Sequence, residues 1–179
     1  MTSIATLHGP RVQLRAWRDS DLDAFAALNA DPEVMEFLPA ALDRAQTAAM
    51  MARMQARLAE AGWGHWCLDV DGRCAGFIGL SAPDFEAHFT PCIEIGWRLA
   101  RWAWGHGLAS EGARLALDHG FGALALPQIV SFTTAANERS RRVMERLGMQ
   151  RNPADDFDHP RLTGHPLRRH VLYRLRAYP

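Results

Sequence analysis

The sequence predicts one α/β (α+β) domain, residues 1–179, built on a mixed, mostly antiparallel central sheet flanked by helices. Three observations carry this expectation. Segments with strand and helix patterning interleave from "VQLRAW" near the start to "HVLYRLRA" near the end. Asp71-Gly72 separates two alternating apolar runs, a strong short-range hairpin signal that makes the middle of the sheet antiparallel. The chain has 179 residues, of which 48% are hydrophobic, enough for one core of ordinary size and with no linker to divide it.

The elements follow in order. "VQLRAW" (12–17) alternates and contains good strand formers, so it opens the sheet. In "RDSDLDAFAALNADPEV" (18–34) the acidic opening suits a helix start, and Asn29 with Asp31-Pro32 suits a stop. Residues 42–61 are rich in Ala, Met, Leu and Arg and lack Gly and Pro, which predicts a helix ended near Gly62. "HWCLDV" (65–70) and "CAGFIGLS" (74–81) are the two arms of the hairpin, and "CIEIGWRL" (92–99) is a further strand. A glycine-containing junction then leads into a helix running to about Phe121. "QIVSFTT" (128–134) is a strand, and 137–149 is a short helix with Asn137 as N-cap and Gly148 just past its end. Residues 151–169 are polar and contain Pro153, Pro160 and Pro166, predicting a long ordered loop before the closing strand "HVLYRLRA" (170–177).

Composition excludes several function classes. The 20 basic and 20 acidic residues cancel, which argues against a dedicated nucleic-acid or membrane-surface binder. All 20 basic residues are arginine, so no mechanism can use an internal lysine as a Schiff base or phosphate clamp. Cys67, Cys74 and Cys92 form no C-x-x-C pair, so a disulfide framework or zinc ribbon is not expected and a reducing cytoplasm fits. The N-terminus lacks the basic start and apolar run of a signal peptide, and no stretch reaches the roughly 18 uninterrupted apolar residues of a membrane span. His159, His165 and His170 stand five and six residues apart with no H-x-x-x-H pair, so no metal site is expected. Their loop is read in two ways. Asp155, Asp156 and Asp158 either pair with arginines to order it, or face an acceptor pocket and attract a cationic amine.

The junction "RWAWGHGLASE" (101–111) carries the chemistry. A glycine-rich turn between strand and helix presents unpaired amides at the positive end of a helix dipole, a ready site for pyrophosphate. Gly105 and Gly107 permit positive φ and close approach of a ligand, and small Ala109 and Ser110 keep the first turn open. A purely structural turn is the alternative. A Walker loop requires lysine. A dinucleotide fingerprint requires a third glycine where Ser110 stands. The dinucleotide loop therefore fits poorly, and a coenzyme A loop is the third candidate.

Taken together, "IEIGWRL", "WAWGHGLASEGARLAL" and "IVSFTTAANERSRRVMERLGM" resemble the GCN5-related N-acetyltransferase (GNAT) superfamily, in the subgroup of ribosomal-protein-alanine N-acetyltransferases. The match in element order runs from about residue 11 to 176. W-G-x-G-x-A-[ST]-E followed by N-x-x-S and L-G-M is specific in combination. Trp102 departs from the Gln or Arg usual in the family, and Met144 stands where many members carry a proton-donating tyrosine.

The resemblance implies a GNAT-like fold with splayed central strands, acetyl-CoA as cosubstrate and an amine as acceptor. It places the pantetheine arm along Trp97, Arg98 and Leu99, and the pyrophosphate on the amides of Trp104, Gly105, His106, Gly107, Leu108 and Ala109. Asn137 and Ser140 would face the cofactor arm, with Ser140 within reach of the thiol sulfur. Glu94 is the one ionisable side chain inside "CIEIGW" and points away from Ile93 and Ile95. It is the candidate base, with an exposed carboxylate or a structural ion pair as the alternative. Without the family tyrosine, Ser140 is the first candidate for donor to the departing thiolate, and Tyr173 the second. The expected function is acetyl transfer to a primary amine, either a protein N-terminus or a small molecule. The alternative is an acyl-CoA-binding sensor or scaffold without catalysis. Exposed sheet edges and aromatic loops add the expectation of a homodimer.

Overall fold

The computed structural model describes residues 4–177. Its nine strands are β1 (Leu7–His8), β2 (Gln13–Arg15), β3 (His65–Val70), β4 (Arg73–Ser81), β5 (Glu94–Leu99), β6 (Gln128–Thr134), β7 (Gln150–Arg151), β8 (Phe157–Asp158) and β9 (Arg169–Arg176). The four helices are α1 (Leu22–Ala30), α2 (Arg44–Ala61), α3 (Leu108–Phe121) and α4 (Glu138–Arg146). The strands form one sheet in the order β1-β2-β3-β4-β5-β6-β9-β7, with β8 also on β9. Every pairing is antiparallel except β5 with β6.

Local chemistry sets these limits. Asp71 and Gly72 both take positive φ, 51° and 80°, as the tight turn between β3 and β4 requires. Asp43 caps α2 by accepting from the Gln46 amide, Gln46 returns the bond, and left-handed Gly62 ends the helix. α4 ends at Arg146 with Leu147 as its C-cap, so Gly148 follows the end as the sequence predicts. The Gly148 amide folds back to the Glu145 carbonyl, and that of Met149 to Met144.

Alternation along β4 assigns the faces. Phe77 meets Phe25 of α1 edge-on at 6.2 Å, so α1 and α2 cover that side. Ile78 and Leu80 point the other way, to α3. α3 lies close to the sheet because its inward positions are small: a Cβ on Gly112 would stand 2.6 Å from Ile78 Cδ1, and one on Gly120 2.6 Å from Ile129 Cδ1. Trp66, Phe25, Leu14, Leu58, Leu68, Ile78 and Ile95 are fully buried between the layers. A second apolar cluster of Phe89, Val130, Phe157 and Leu172 packs under the loops, with Phe85 and Phe132 beside it.

One ionic group is built into the core. Arg15 donates from Nη1 and Nη2 to both carboxylate oxygens of Asp21, at 2.7 and 2.9 Å, and from Nε to Asp69 at 2.7 Å. Asp69 also accepts from the Gly72 amide at 2.7 Å, which ties the hairpin turn to the start of α1.

The structure revises the sequence reading in two segments. β1 has only two residues, too few for alternation to register. Residues 151–169 contain β8 and three single 3-10 turns, each opened by proline. Their strand character comes from pairing with β9, not from local pattern. No helix among the described residues is long and apolar enough to cross a membrane.

Candidate active site

The parallel strands β5 and β6 share one bridge, Glu94 with Val130. The Val130 amide donates to Ile93 O at 2.9 Å, and the Ser131 hydroxyl to Ile95 O at 2.9 Å. Past Ile95 the strands diverge. A cleft of about 350 Å³ opens there, lined by Trp97, Arg98 and Leu99 of β5, by the glycine junction, and by Asn137 and Ser140. Val34 and Phe37 close it from the α1–α2 connection.

The glycine junction forms the anionic-ligand end. Gly105 and Gly107 adopt φ of 78° and 77°, and a Cβ on Gly105 would meet nothing within 4 Å. Gly107 is the N-cap of α3 and contributes no side chain, so no side chain blocks the first-turn amides. The Ser110 hydroxyl is buried beside the cleft and has no hydrogen-bond partner. Open glycines, an uncapped helix start and this orphaned hydroxyl fit a phosphate-bearing ligand.

Of the residues the sequence assigns to this end, Trp104, Gly105, Gly107, Leu108 and Ala109 line the cleft and His106 does not. His106 is exposed, and its carbonyl accepts from Arg11 Nη1 at 2.9 Å. The Trp104 indole donates to Leu99 O at 2.9 Å and so fixes the turn to β5. Sequence reasoning missed Arg139, Arg142 and Arg146, which line the cleft from α4. The signal was present as basic residues at three- and four-residue spacing in "ERSRRVMER". Arg139 also bridges the cleft mouth, 4.1 Å from the Trp104 ring centre and 3.0 Å from Glu36.

Asn137 uses both ends of its amide internally. Its oxygen accepts from the Ser140 amide at 3.2 Å, and its nitrogen donates to Thr133 Oγ1 at 3.0 Å. Capping therefore holds the α4 start against the splay and presents Ser140 to the cleft. Met144 is 1% exposed and belongs to the core. The Tyr173 hydroxyl is engaged away from the cleft, donating to Glu145 at 2.9 Å and accepting from Arg141 at 3.4 Å.

Glu94 sits where the splay begins. The Ser81 hydroxyl donates to its Oε1 at 3.0 Å. Burial lifts its carboxyl from 4.5 to about 7; the Ser81 bond opposes the shift and nearby Asp84 adds to it. Glu94, Gly96 and Arg98 alternate onto one face of β5, opposite Ser81, Gly79 and Phe77. Arg98 donates from Nη1 to Asn29 Oδ1 at 2.7 Å and lies 5.4 Å from the Phe77 ring centre. Burial lowers its guanidinium to about 10.

The loop carboxylates are committed to arginines. Asp156 pairs with Arg151 (3.0 Å at Nε), Asp155 with Arg174 (3.1 Å) and Asp158 with Arg169 (3.4 Å), which is the structural one of the two sequence readings. His159 and His170 meet with ring centres 5.1 Å apart among phenylalanines, while His165 caps a separate turn. Among the described residues, Asp21, Cys67 and Cys74 bring possible ligand atoms within 4.8 Å of one another. Arg15 already occupies both oxygens of that carboxylate.

Comparison with known proteins places this geometry. A family described as "Acetyltransferase (GNAT) domain" matches residues 11–150. A Bacillus subtilis (strain 168) protein, the uncharacterized YkkB, is 31% identical over 141 residues, covering 78% of this chain and 81% of that one. An FsC-acetyl coenzyme A-N(2)-transacetylase of Aspergillus fumigatus is 28% identical over 151 residues, covering 80% of this chain and 64% of that longer protein. The crystal structure of an acetyltransferase from Agrobacterium tumefaciens str. C58 superposes with a TM-score of 0.78 at 27% identity, covering 99% of this chain and 97% of that one.

Proposed function

Because the chain belongs to the GNAT acetyltransferase family, we propose that it transfers acetyl from acetyl-CoA directly to a primary amine, with residues 1–179 acting as one cytoplasmic N-acetyltransferase domain. The observation that carries this reading is the single-bridge splay of β5 and β6, with an uncapped, glycine-lined helix start at one end and a high-pKa carboxylate at the other. The relative that uses acetyl coenzyme A supports the donor.

Each group has a role in this reading. The amides of Gly105 and of Gly107 to Ala109 take the pyrophosphate, the Trp104 amide being taken by the Arg101 carbonyl at 3.0 Å, and Arg142 and Arg146 add positive charge beside it. Backbone groups on the splayed side of Trp97 to Leu99 hold the pantetheine arm and polarise the thioester carbonyl, apart from the Leu99 carbonyl, which the Trp104 indole already occupies. Glu94, with its raised pKa, takes the ammonium proton through water. Ser140 donates a hydrogen bond to the departing thiolate. No step requires a metal. The exposed sheet edges leave room for a homodimer.

Thermal unfolding with acetyl-CoA, NADH and ATP added separately tests the donor. At a hundred times its dissociation constant, acetyl-CoA should add about 2.7 kcal/mol of stability. A shift with NADH or ATP and none with acetyl-CoA would remove the assignment. Release of free thiol from acetyl-CoA upon addition of amines then tests transfer.

A further inference from the structure

Arg98 presents an electrostatic problem that the rest of the fold does not solve. It is a largely buried cation, and among the described residues it has no carboxylate partner. Its one hydrogen bond goes from Nη1 to the neutral Asn29 side chain, and its other contact is the face of Phe77. Nearby His65 is half-buried and held neutral, its pKa lowered to about 4 by desolvation and by Arg98 itself. Two other arginines that reach inward find acids, Arg15 with two aspartates and Arg174 with Asp155, while half-buried Arg141 bonds the Tyr173 hydroxyl and the Ala135 carbonyl. An isolated buried charge is costly, and such a charge in a cleft is compensated when a ligand supplies the counter-ion.

The geometry says which ligand. With Nη1 held by Asn29, Nε and Nη2 form the remaining edge of the guanidinium, and neither has a partner among the described residues. These atoms are not sealed in the core, where, among the described residues, the one enclosed, unpartnered polar side-chain atom is Ser110 Oγ. That edge is a two-donor fork matched to a carboxylate. Arg98 lines the cleft together with apolar Val34 and Phe37. It shares a face of β5 with Glu94, and between them lies Gly96, where a Cβ would meet nothing within 4 Å. The strand rise separates the Cα atoms of Glu94 and Arg98 by roughly 13 Å, and both side chains can lean into that interval.

We propose that the amine acceptor is a zwitterion, and that Arg98 binds its carboxylate while the amine lies toward Glu94 across an apolar spacer over Gly96. The proposal rests on the acetyltransferase reading for the place of the amine, but the carboxylate subsite is a property of binding alone. Arg98 is then the residue that selects among amines.

Calorimetric titration in the presence of CoA tests this without any turnover. The probes are 4-aminobutyrate, 6-aminohexanoate and 8-aminooctanoate, each against its carboxamide. The wild-type protein should bind at least one carboxylate about tenfold more tightly than its amide, an increment of about 1.4 kcal/mol. Arg98→Gln should erase that preference while acetyl-CoA still binds, because the β5 backbone and not this side chain holds the arm, and Arg98→Lys should keep part of it. No carboxylate preference in the wild-type protein overturns the proposal, whatever the variants do. So does an Arg98→Gln protein that loses acetyl-CoA in place of the carboxylate, because the missing anion would then belong to the donor. A carboxylate that binds as described yet is never acetylated counts against the transfer reaction and leaves the subsite standing.

Discussion

In the proposed reaction Glu94 is the base, and its environment sets a pH signature. A carboxyl lifted to about 7 is protonated in acid and cannot accept a proton there. Turnover should therefore rise with pH through about 7 and level off above it. Glu94→Gln should lower kcat by roughly 10²-fold or more, the usual scale for a general base, and flatten that rise. A variant whose rate still climbs through pH 7 would remove Glu94 from the mechanism. Ser140→Ala should lower kcat with little change in acetyl-CoA affinity, because the hydroxyl is needed by the leaving group and not by the bound donor; an unchanged kcat would exclude it. Glu94 could be picked out of the sequence as the lone ionisable group in an apolar strand. Arg98 could not be read as unpaired: its isolation depends on Asn29 and Phe77, which are 69 and 21 positions away. Tyr173 shows the converse. Its identity suited a donor, and only its bonds to Arg141 and Glu145 show that its hydroxyl is occupied elsewhere.

At the level of elements, the strand and helix patterns were legible wherever local chemistry decides. The Asp71-Gly72 turn, the α2 stop at Gly62, the Asn137 cap of α4 and the span of β6 follow from residues within a few positions of one another. β1 and β8 do not, because partners on β2 and β9 decide them. The buried ion group is also invisible locally, since Arg15, Asp21 and Asp69 come from three elements. Removing Asp21 would leave the Arg15 guanidinium buried with only Asp69. Asp21→Ala should cost about 3–5 kcal/mol in denaturant unfolding, far above the effect of breaking an exposed pair such as Arg142 with Glu138. A loss below 1 kcal/mol would mean that water reaches Arg15 and replaces the acid.

For the whole molecule, two kinds of buried group act against each other as pH changes. The folded pKa of Glu94 is raised, so its contribution is present below about 4.5 and is lost as pH rises toward 7. Burial lowers the folded pKa of His65 to about 4, and those of His119, His159 and His170 also fall below the usual value. Each of these withdraws stability as pH drops below about 6.5, where the unfolded chain binds a proton that the native chain refuses. Glu94→Gln should consequently steepen the gain in stability between pH 4.5 and 7, by at most about 1.4 kcal/mol per pH unit. Urea unfolding at a series of pH values checks this, and parallel curves for the two proteins would show that Glu94 does not carry the shifted proton. The sheet itself has a mechanical consequence. Its two halves, β1 to β5 and β6 to β9, are joined by one rung and one hydroxyl strut. An extended arm lying between Trp97–Leu99 and α4 would add rungs that the polypeptide does not supply. Shear stiffness across the middle of the molecule would then be lent by its cargo, and each departure of product would unzip the sheet to its single rung.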